Sequence, residues 1–128
     1  LVVVDLYPFE ETVASGAAEA DVIEKIDIGG ISLLRAAAKN FRDVLVVSSR
    51  DQYAAVTELL QANGCATDLE DRRHYAAAAF EQTSHYDTHI FRYLTQGTDL
   101  AGASLKLSEK PATPLRYGEN PHQQGTFY

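Results

Sequence analysis

The chain has 128 residues, of which 45% are hydrophobic and 23% charged, and this length and composition are typical of one globular domain. Eleven basic residues against eighteen acidic ones give a formal net charge of −7, which argues against a nucleic-acid partner because such partners are bound by clustered positive charge. No apolar run approaches the roughly 18 residues of a membrane span, and a single cysteine excludes an internal disulfide, so we expect a cytoplasmic protein that binds neither membrane nor nucleic acid.

The first half of the chain is predicted to alternate strands with short helices. The runs LVVVDL (Leu1–Leu6) and VLVVSS (Val44–Ser49) are almost continuously apolar, which is typical of parallel strands buried on both faces. Between them we predict a loop over Tyr7–Gly16, a short acidic helix over Ala17–Ile26, and a helix over Ser32–Lys39 that a glycine pair introduces.

The second half is predicted to be mainly helical. Helices are expected over Asp51–Ala62 and Asp68–Leu94, and the second of them carries an apolar stripe that includes Tyr86, Ile90 and Leu94. Ser104–Lys110 alternates polar and apolar residues, which indicates a short edge strand, and residues 111–124 are rich in Pro, Gly and Asn, which indicates an irregular segment. The order of strands and helices predicts an α/β fold with a parallel sheet.

Two strands form too small a sheet to stand alone. Parallel sheets are normally covered on both faces, and two-stranded units are marginally stable. The chain also contains no methionine, opens directly in an apolar run and ends without a terminating signal. We therefore expect the chain to be a fragment of a longer protein that supplies the remaining strands.

The stretch IDIGGISLLRAAAKN (Ile26–Asn40) allows two interpretations. In the first, Asp27 caps a helix or forms an Asx turn, Lys39 complements the helix dipole, and Tyr7 is a packing aromatic. In the second, the glycine pair lets backbone N–H groups approach a ligand at the carboxyl end of a parallel strand. The acid, the lysine and the tyrosine would then supply proton transfer and oxyanion stabilisation. The residue types alone leave both interpretations open.

The stretch HYDTH (His85–His89) places two histidines four residues apart on a predicted helix. Such a pair can share a metal ion. However, the glutamate of an HExxH motif is absent, Asp87 points about 200° away from the first histidine around the helix, and no third ligand is evident. The sequence therefore predicts no metal site.

Four segments carry a resemblance to a known family. LVVVDLYPFEETVA, EKIDIGGISLLRAAAKN, AFEQTSHYDTHIFRYL and LRYGENPHQ resemble, in this order, the bifunctional family that combines 5-aminoimidazole-4-carboxamide ribonucleotide (AICAR) transformylase with inosine monophosphate (IMP) cyclohydrolase. The resemblance implies a methylglyoxal-synthase-like α/β domain followed by a transformylase domain. It assigns residues 1–98 to the C-terminal half of the cyclohydrolase domain, 99–115 to a linker, and 116–128 to the start of the transformylase.

The resemblance also implies the site residues of the cyclohydrolase. Lys39 would donate and accept protons in the ring closure, Asp27 would orient or deprotonate the carboxamide, and Tyr7 would stabilise the oxyanion. The residues expected to lie against the base of the nucleotide are those of the glycine turn, Asp27, Ile28, Gly29 and Gly30.

Three further positions are implied to bind substrate. Asp5 stands where the family motif NLYPF has asparagine, and an ionised carboxylate can only accept hydrogen bonds whereas an amide also donates. Arg116 and Tyr117 match residues that bind AICAR in the transformylase, and the planar donors of an arginine suit a phosphate or carboxamide.

The activity implied is the last two steps of IMP synthesis. A formyl group passes from 10-formyltetrahydrofolate, a co-substrate, to AICAR, and the carboxamide nitrogen of formyl-AICAR then attacks the formyl carbon with loss of water. The ring closure is expected to need no metal or redox cofactor. The family also implies a homodimer, and the fragment alone is expected to be inactive because the phosphate-binding loops lie outside it. The alternative is a non-catalytic α/β module that binds a phosphorylated metabolite.

Overall fold

Two short parallel strands and a set of helices make up the main body of the chain. A computed structural model describes residues 1–109, 113–116, 120, 122–123 and 125–127. The elements follow in the order β1 (Val2–Val3), α1 (Phe9–Ala14), α2 (Glu19–Ile23), α3 (Gly29–Lys39), β2 (Val46–Val47), a 3-10 turn (Arg50–Gln52), α4 (Tyr53–Ala62), α5 (Leu69–Thr95), a second 3-10 turn (Asp99–Gly102), β3 (Thr113–Pro114) and β4 (Thr126–Phe127). Within these ranges no helix is both long enough and apolar enough to cross a bilayer.

Strands β1 and β2 pair in parallel, with Val2 opposite Val46 and Val3 opposite Val47. The Val4 N–H extends this pairing by donating to the Val47 carbonyl at 3.0 Å. The connection between the two strands contains α1, α2 and α3, as a parallel pair requires a crossover. The predicted α/β class with a parallel sheet is therefore confirmed.

The two strands differ in burial, and here the prediction is partly wrong. Val46 and Val47 are fully buried, but Val3 is 48% exposed, so β1 is not covered on both faces. The residues of the first run that pack on the core alternate along it: Val2, Val4 and Leu6. In the described part of the chain the helices reach only one face of β1, and the side chains on its other face remain in solvent.

The core is built by α3 and α5 against β2. Its buried members are mostly small, which lets the two helices approach closely. They are Leu34, Ala37, Ala38, Val46, Ala76 and Ala79. Helix α5 starts with a capping box in which Asp68 and Asp71 each accept from the other's backbone N–H, and its bounds agree closely with the predicted Asp68–Leu94.

A second apolar cluster attaches α1 and α2 to the C-terminal half of α5. Phe9 is buried between Tyr86 and Tyr93, with ring centroids 6.0 and 5.8 Å away, and Val22 closes the cluster. The predicted loop over Tyr7–Gly16 is thus wrong in part, because α1 occupies its middle. Pro8 precedes this helix with a φ of −76°, and two glutamates in the first turn complement the helix dipole.

Other boundaries also differ from the predictions, since α2 is shorter than Ala17–Ile26 and α4 begins at Tyr53 rather than Asp51. Helix α3 begins at Gly29 rather than Ser32, so the glycine pair forms its first turn. The predicted edge strand over Ser104–Lys110 is not formed in the described residues 104–109. Residues 104–109 instead contact α5, where Lys106 Nζ lies 5.0 Å from the centre of the Phe91 ring. An alternating pattern produces a strand only where a neighbouring strand edge is free to pair with it.

Candidate functional site

A pocket of about 320 Å³ lies beyond the carboxyl ends of β1 and β2. Open α/β sheets place their ligands at this edge. The lining of this pocket includes six side chains that bear on its chemistry: Asp5, Tyr7, Glu10, Ser49, Arg50 and Tyr86. Two of the sequence-predicted site residues, Asp5 and Tyr7, are therefore brought to one pocket.

Asp5 presents one bonded and one unbonded oxygen. Its Oδ2 accepts from Arg50 Nε at 3.0 Å and from the Tyr53 hydroxyl at 2.8 Å. This contact raises the pKa of Tyr53 above its ordinary value, because the hydrogen bond to the carboxylate is made by the protonated phenol. Its Oδ1 is buried and has no hydrogen-bond partner among the described residues. A residue that lines the pocket therefore carries an acceptor that the described part of the chain leaves unused.

The Asp27 side chain closes the turn that begins α3. Its Oδ1 accepts from the Gly30 N–H at 2.6 Å, so the capping interpretation of Asp27 is confirmed. A Cβ at position 30 would lie 2.6 Å from Asp27 Oδ2 and 2.9 Å from its Cγ, so any larger residue there would displace the Asp27 carboxylate. At Gly29 nothing lies within 4 Å of the corresponding point, and Ile28 is 73% exposed. The outer side of the turn is thus open.

Tyr86 connects this turn to the pocket. It is buried on α5, its hydroxyl accepts from the Asp27 N–H at 2.9 Å and donates to the Lys25 carbonyl, and it also lines the pocket. Burial raises the pKa of Tyr86 above the ordinary value for a phenol. The sequence placed Tyr86 only on an apolar stripe. The signal available was chemical, because a phenol in a buried stripe must find a hydrogen-bond partner.

Tyr7 is available at the pocket rather than packed in the core. Its side chain is 55% exposed, and Lys25 Nζ lies 5.7 Å from the centre of its ring. The backbone carbonyl of Lys25 also accepts from the Tyr86 hydroxyl. Lys25 therefore contacts both Tyr7 and the tyrosine that binds the Asp27 turn. The packing interpretation of Tyr7 is therefore wrong.

Lys39 does not join this group. It is the last residue of α3, ten residues beyond Gly29 and therefore about 15 Å along the helix axis. Helix α3 leads into the amino end of β2, whereas the pocket lies at the carboxyl end. Asp27 and Lys39 are thus at opposite ends of one helix, and in this arrangement they do not act on the same atom.

Of the two positions expected to bind AICAR, Arg116 does not line the pocket and Tyr117 is not described. Arg116 is exposed and lies two residues after β3, the strand that pairs with β4. It is not among the residues that line the pocket. Tyr117 lies outside the described residues. The expectation that no third ligand group lies near the histidine pair is wrong, because Glu10 contacts both His85 and His89.

Comparison with known proteins identifies the family. Residues 37–128 match the family described as "AICARFT/IMPCHase bienzyme". The chain is 56% identical over 128 residues to a "Bifunctional purine biosynthesis protein PurH" of Bacteroides thetaiotaomicron, and 50% and 51% identical to proteins of the same name from Myxococcus xanthus and Rhodopirellula baltica. Each alignment covers all of this chain and 25% of the relative, so the chain spans about a quarter of the length of these proteins.

The Asp27 turn and the pocket residues Asp5, Tyr7 and Glu10 lie before residue 37, outside the family match but inside the alignments with these relatives, whereas Ser49, Arg50 and Tyr86 lie inside both. The resemblance inferred from the four sequence segments agrees with both comparisons. The chain belongs to the AICARFT/IMPCHase bienzyme family.

Proposed function

We propose that this chain carries part of the IMP cyclohydrolase site of a bifunctional purine biosynthesis enzyme. The observation that supports this most directly is the Asp27 turn, which a buried tyrosine of α5 ties to a pocket at the carboxyl end of the sheet. The relatives that align with the whole chain are named as bifunctional purine biosynthesis proteins. Because the chain spans a quarter of their length, the complete reaction sequence is proposed for the full-length protein.

The proposed reaction is the dehydrative closure of formyl-AICAR to IMP. The carboxamide and the formamide stand on one ring, so the protein has mainly to hold one rotamer and to move protons. Asp27 Oδ1 is used by the Gly30 N–H, and Oδ2 would accept the proton or the hydrogen bond of the carboxamide. Tyr7, exposed at the pocket, would donate to the oxygen that becomes negative as the nitrogen attacks.

The other binding contacts follow from the same geometry. The open side of the Asp27 turn would lie against the base, because neither Gly29 nor the exposed Ile28 obstructs it. Asp5 Oδ1 would accept from the nucleotide. Lys39 would serve proton transfer from the far end of α3, at an atom different from the one that Asp27 contacts.

The remaining parts of the proposal concern the whole protein. Residues 1–98 would belong to a methylglyoxal-synthase-like domain, 99–115 to a linker and 116–128 to the transformylase. That second domain would transfer the formyl group from 10-formyltetrahydrofolate to AICAR, with Arg116 and Tyr117 as binding residues. The protein would act in the cytoplasm as a homodimer.

The variant Asp27→Asn in the full-length protein tests the proposal. The amide oxygen can still cap the Gly30 N–H, so the turn should persist, but the general base is lost. We expect cyclisation to fall by about 10²–10⁴-fold while formyl transfer changes little, since it would use another domain. The matched control is Asp43→Asn, an exposed aspartate beyond the other end of α3.

Two outcomes would contradict the proposal. Cyclisation by Asp27→Asn within about tenfold of the wild-type rate would remove Asp27 from the chemistry. Calorimetric binding of IMP by a wild-type protein that shows no cyclisation would favour the alternative, a non-catalytic module for a phosphorylated metabolite.

A further inference from the structure

A cluster of three potential metal ligands joins α1 to α5. Glu10 Oε1 lies 3.1 Å from His85 Nε2, and Glu10 Oε2 lies 3.2 Å from His89 Nδ1. One ligand atom from each residue can be chosen so that all three lie within 4.8 Å of one another. The two histidines are one helical turn apart, and their ring centroids are 4.4 Å apart. The third ligand that the sequence pattern lacked thus comes from a different helix.

The separations suit a small metal ion. In a tetrahedral site with bonds of about 2.0–2.1 Å, neighbouring ligand atoms are about 3.3 Å apart. The two glutamate–histidine distances, one from each carboxylate oxygen, are already close to this length, and the three ligand atoms within 4.8 Å of one another need only a modest contraction around an ion. Two imidazole nitrogens and a carboxylate oxygen favour Zn²⁺ and similar first-row ions over Mg²⁺ or Ca²⁺, which prefer oxygen ligands alone.

The surroundings of the cluster support a cation site. His85 is buried, and its Nδ1 lies 2.7 Å from Ser108 Oγ, which is the outer contact that orients a metal-binding imidazole and leaves Nε2 for the ion. Arg92, three residues beyond His89 on the same helix, is paired with Glu109 at 2.9 Å, so its positive charge is partly balanced.

We propose that Glu10, His85 and His89 form a binding site for one Zn²⁺-like ion, which fastens α1 to α5. Glu10 and His89 also line a groove of about 580 Å³ beside α1, from which water can complete the coordination. Because Glu10 also lines the pocket that contains Asp5 and Tyr7, the ion would hold one wall of that pocket in place. The proposal concerns binding and does not depend on the proposed reaction.

The test uses chelator-treated full-length protein titrated with Co²⁺, whose visible absorption reports its coordination. The wild type should bind one more equivalent than Glu10→Gln or His89→Gln, with the intense bands of four- or five-coordinate cobalt, and Zn²⁺ should displace it. Loss of an outer contact typically lowers metal affinity by about 10–100-fold, so Ser108→Ala should weaken binding by that factor, and loss of a ligand should have at least as large an effect.

The matched control is His74→Gln, which removes an exposed histidine of the same helix outside the cluster. It should bind cobalt as the wild type does. Circular dichroism checks that each variant is folded, and Glu10 is exposed enough to be replaced without disturbing the core. Wild-type protein that binds no Co²⁺, or folded Glu10→Gln and His89→Gln variants that bind as much as the wild type, would overturn the proposal.

Discussion

At the scale of single residues, Asp5 illustrates how one atom changes a site. The family motif has asparagine at this position, and the aspartate here places next to the candidate pocket a buried oxygen to which no residue in the described part of the chain donates. Both contacts from Arg50 and Tyr53 go to the other oxygen. Oδ2 is therefore used by the protein, and Oδ1 is left for a ligand. In an asparagine that keeps the contacts of Oδ2, an NH₂ donor would replace Oδ1.

The variant Asp5→Asn tests which of these oxygens matters. The amide oxygen can keep both existing contacts, while the amide nitrogen would take the place of Oδ1 and offer donors to the nucleotide. We expect IMP to bind as tightly as in the wild type or more tightly, with little change in stability because the Arg50 pair is exposed. Calorimetry with IMP measures this. A clearly weaker affinity would show instead that the nucleotide donates a hydrogen bond to the carboxylate.

At the scale of elements, Tyr86 joins α5 to the turn between α2 and α3. Its hydroxyl makes two hydrogen bonds to backbone groups about sixty residues away in sequence, Asp27 N–H and Lys25 C=O. Removing the Tyr86 hydroxyl leaves both backbone groups without this partner, which lowers the free energy of unfolding by about 1–3 kcal/mol. The position of Asp27 therefore depends on packing between helices and not on the turn alone.

The raised pKa of Tyr86 gives this contact a predictable dependence on pH. A tyrosine whose folded pKa is raised contributes stability that is fully present below the unfolded pKa of about 10 and is lost as pH rises through the folded pKa. We expect the urea midpoint of the wild type to fall above about pH 10, and that of Tyr86→Phe to start lower and fall less steeply.

The two proteins must be compared by the slope of the urea midpoint against pH. The pKa values of Tyr53 and Tyr75 are raised as well, and these two tyrosines titrate in both proteins. Phenylalanine keeps the aromatic contact with Phe9, so packing is preserved as far as possible. Parallel pH profiles for wild type and Tyr86→Phe would mean that this phenol keeps an ordinary pKa in the folded protein.

At the scale of the whole molecule, the length of α3 separates two residues that the proposed reaction uses. Asp27 lies two residues before α3 begins at Gly29, and Lys39 is the last residue of α3, at the end from which the chain continues to β2. A nucleotide that contacts both must extend along α3, or Lys39 must act in a different step from Asp27.

The variant Lys39→Ala separates these roles. We expect cyclisation to fall by about 10²–10⁴-fold with formyl transfer preserved, as for the loss of a proton-transfer group. Arg42→Ala, an exposed cation three residues further on, is the control for a general effect of charge. If Lys39→Ala cyclises at nearly the wild-type rate, Lys39 is not part of the site. Its position at the far end of α3 would then be the reason.

What the sequence determined by itself was local or compositional. The apolar stripe predicted helix α5 with nearly correct bounds, because a helical repeat of apolar residues is a local signal. The order of strands and helices predicted the parallel pairing of β1 with β2. Four short segments were enough to predict the family that the comparisons confirm.

The tertiary structure alone decided which side chains meet. Glu10 reaches the histidines of α5 across about 75 residues of chain, and Tyr86 reaches Asp27 across 59. Periodicity reports which face of an element is apolar, but a contact between two elements depends on how their faces pack, which no single segment encodes. For the same reason the sequence did not determine that β1 is covered on one face only, since burial depends on neighbours supplied by other parts of the chain.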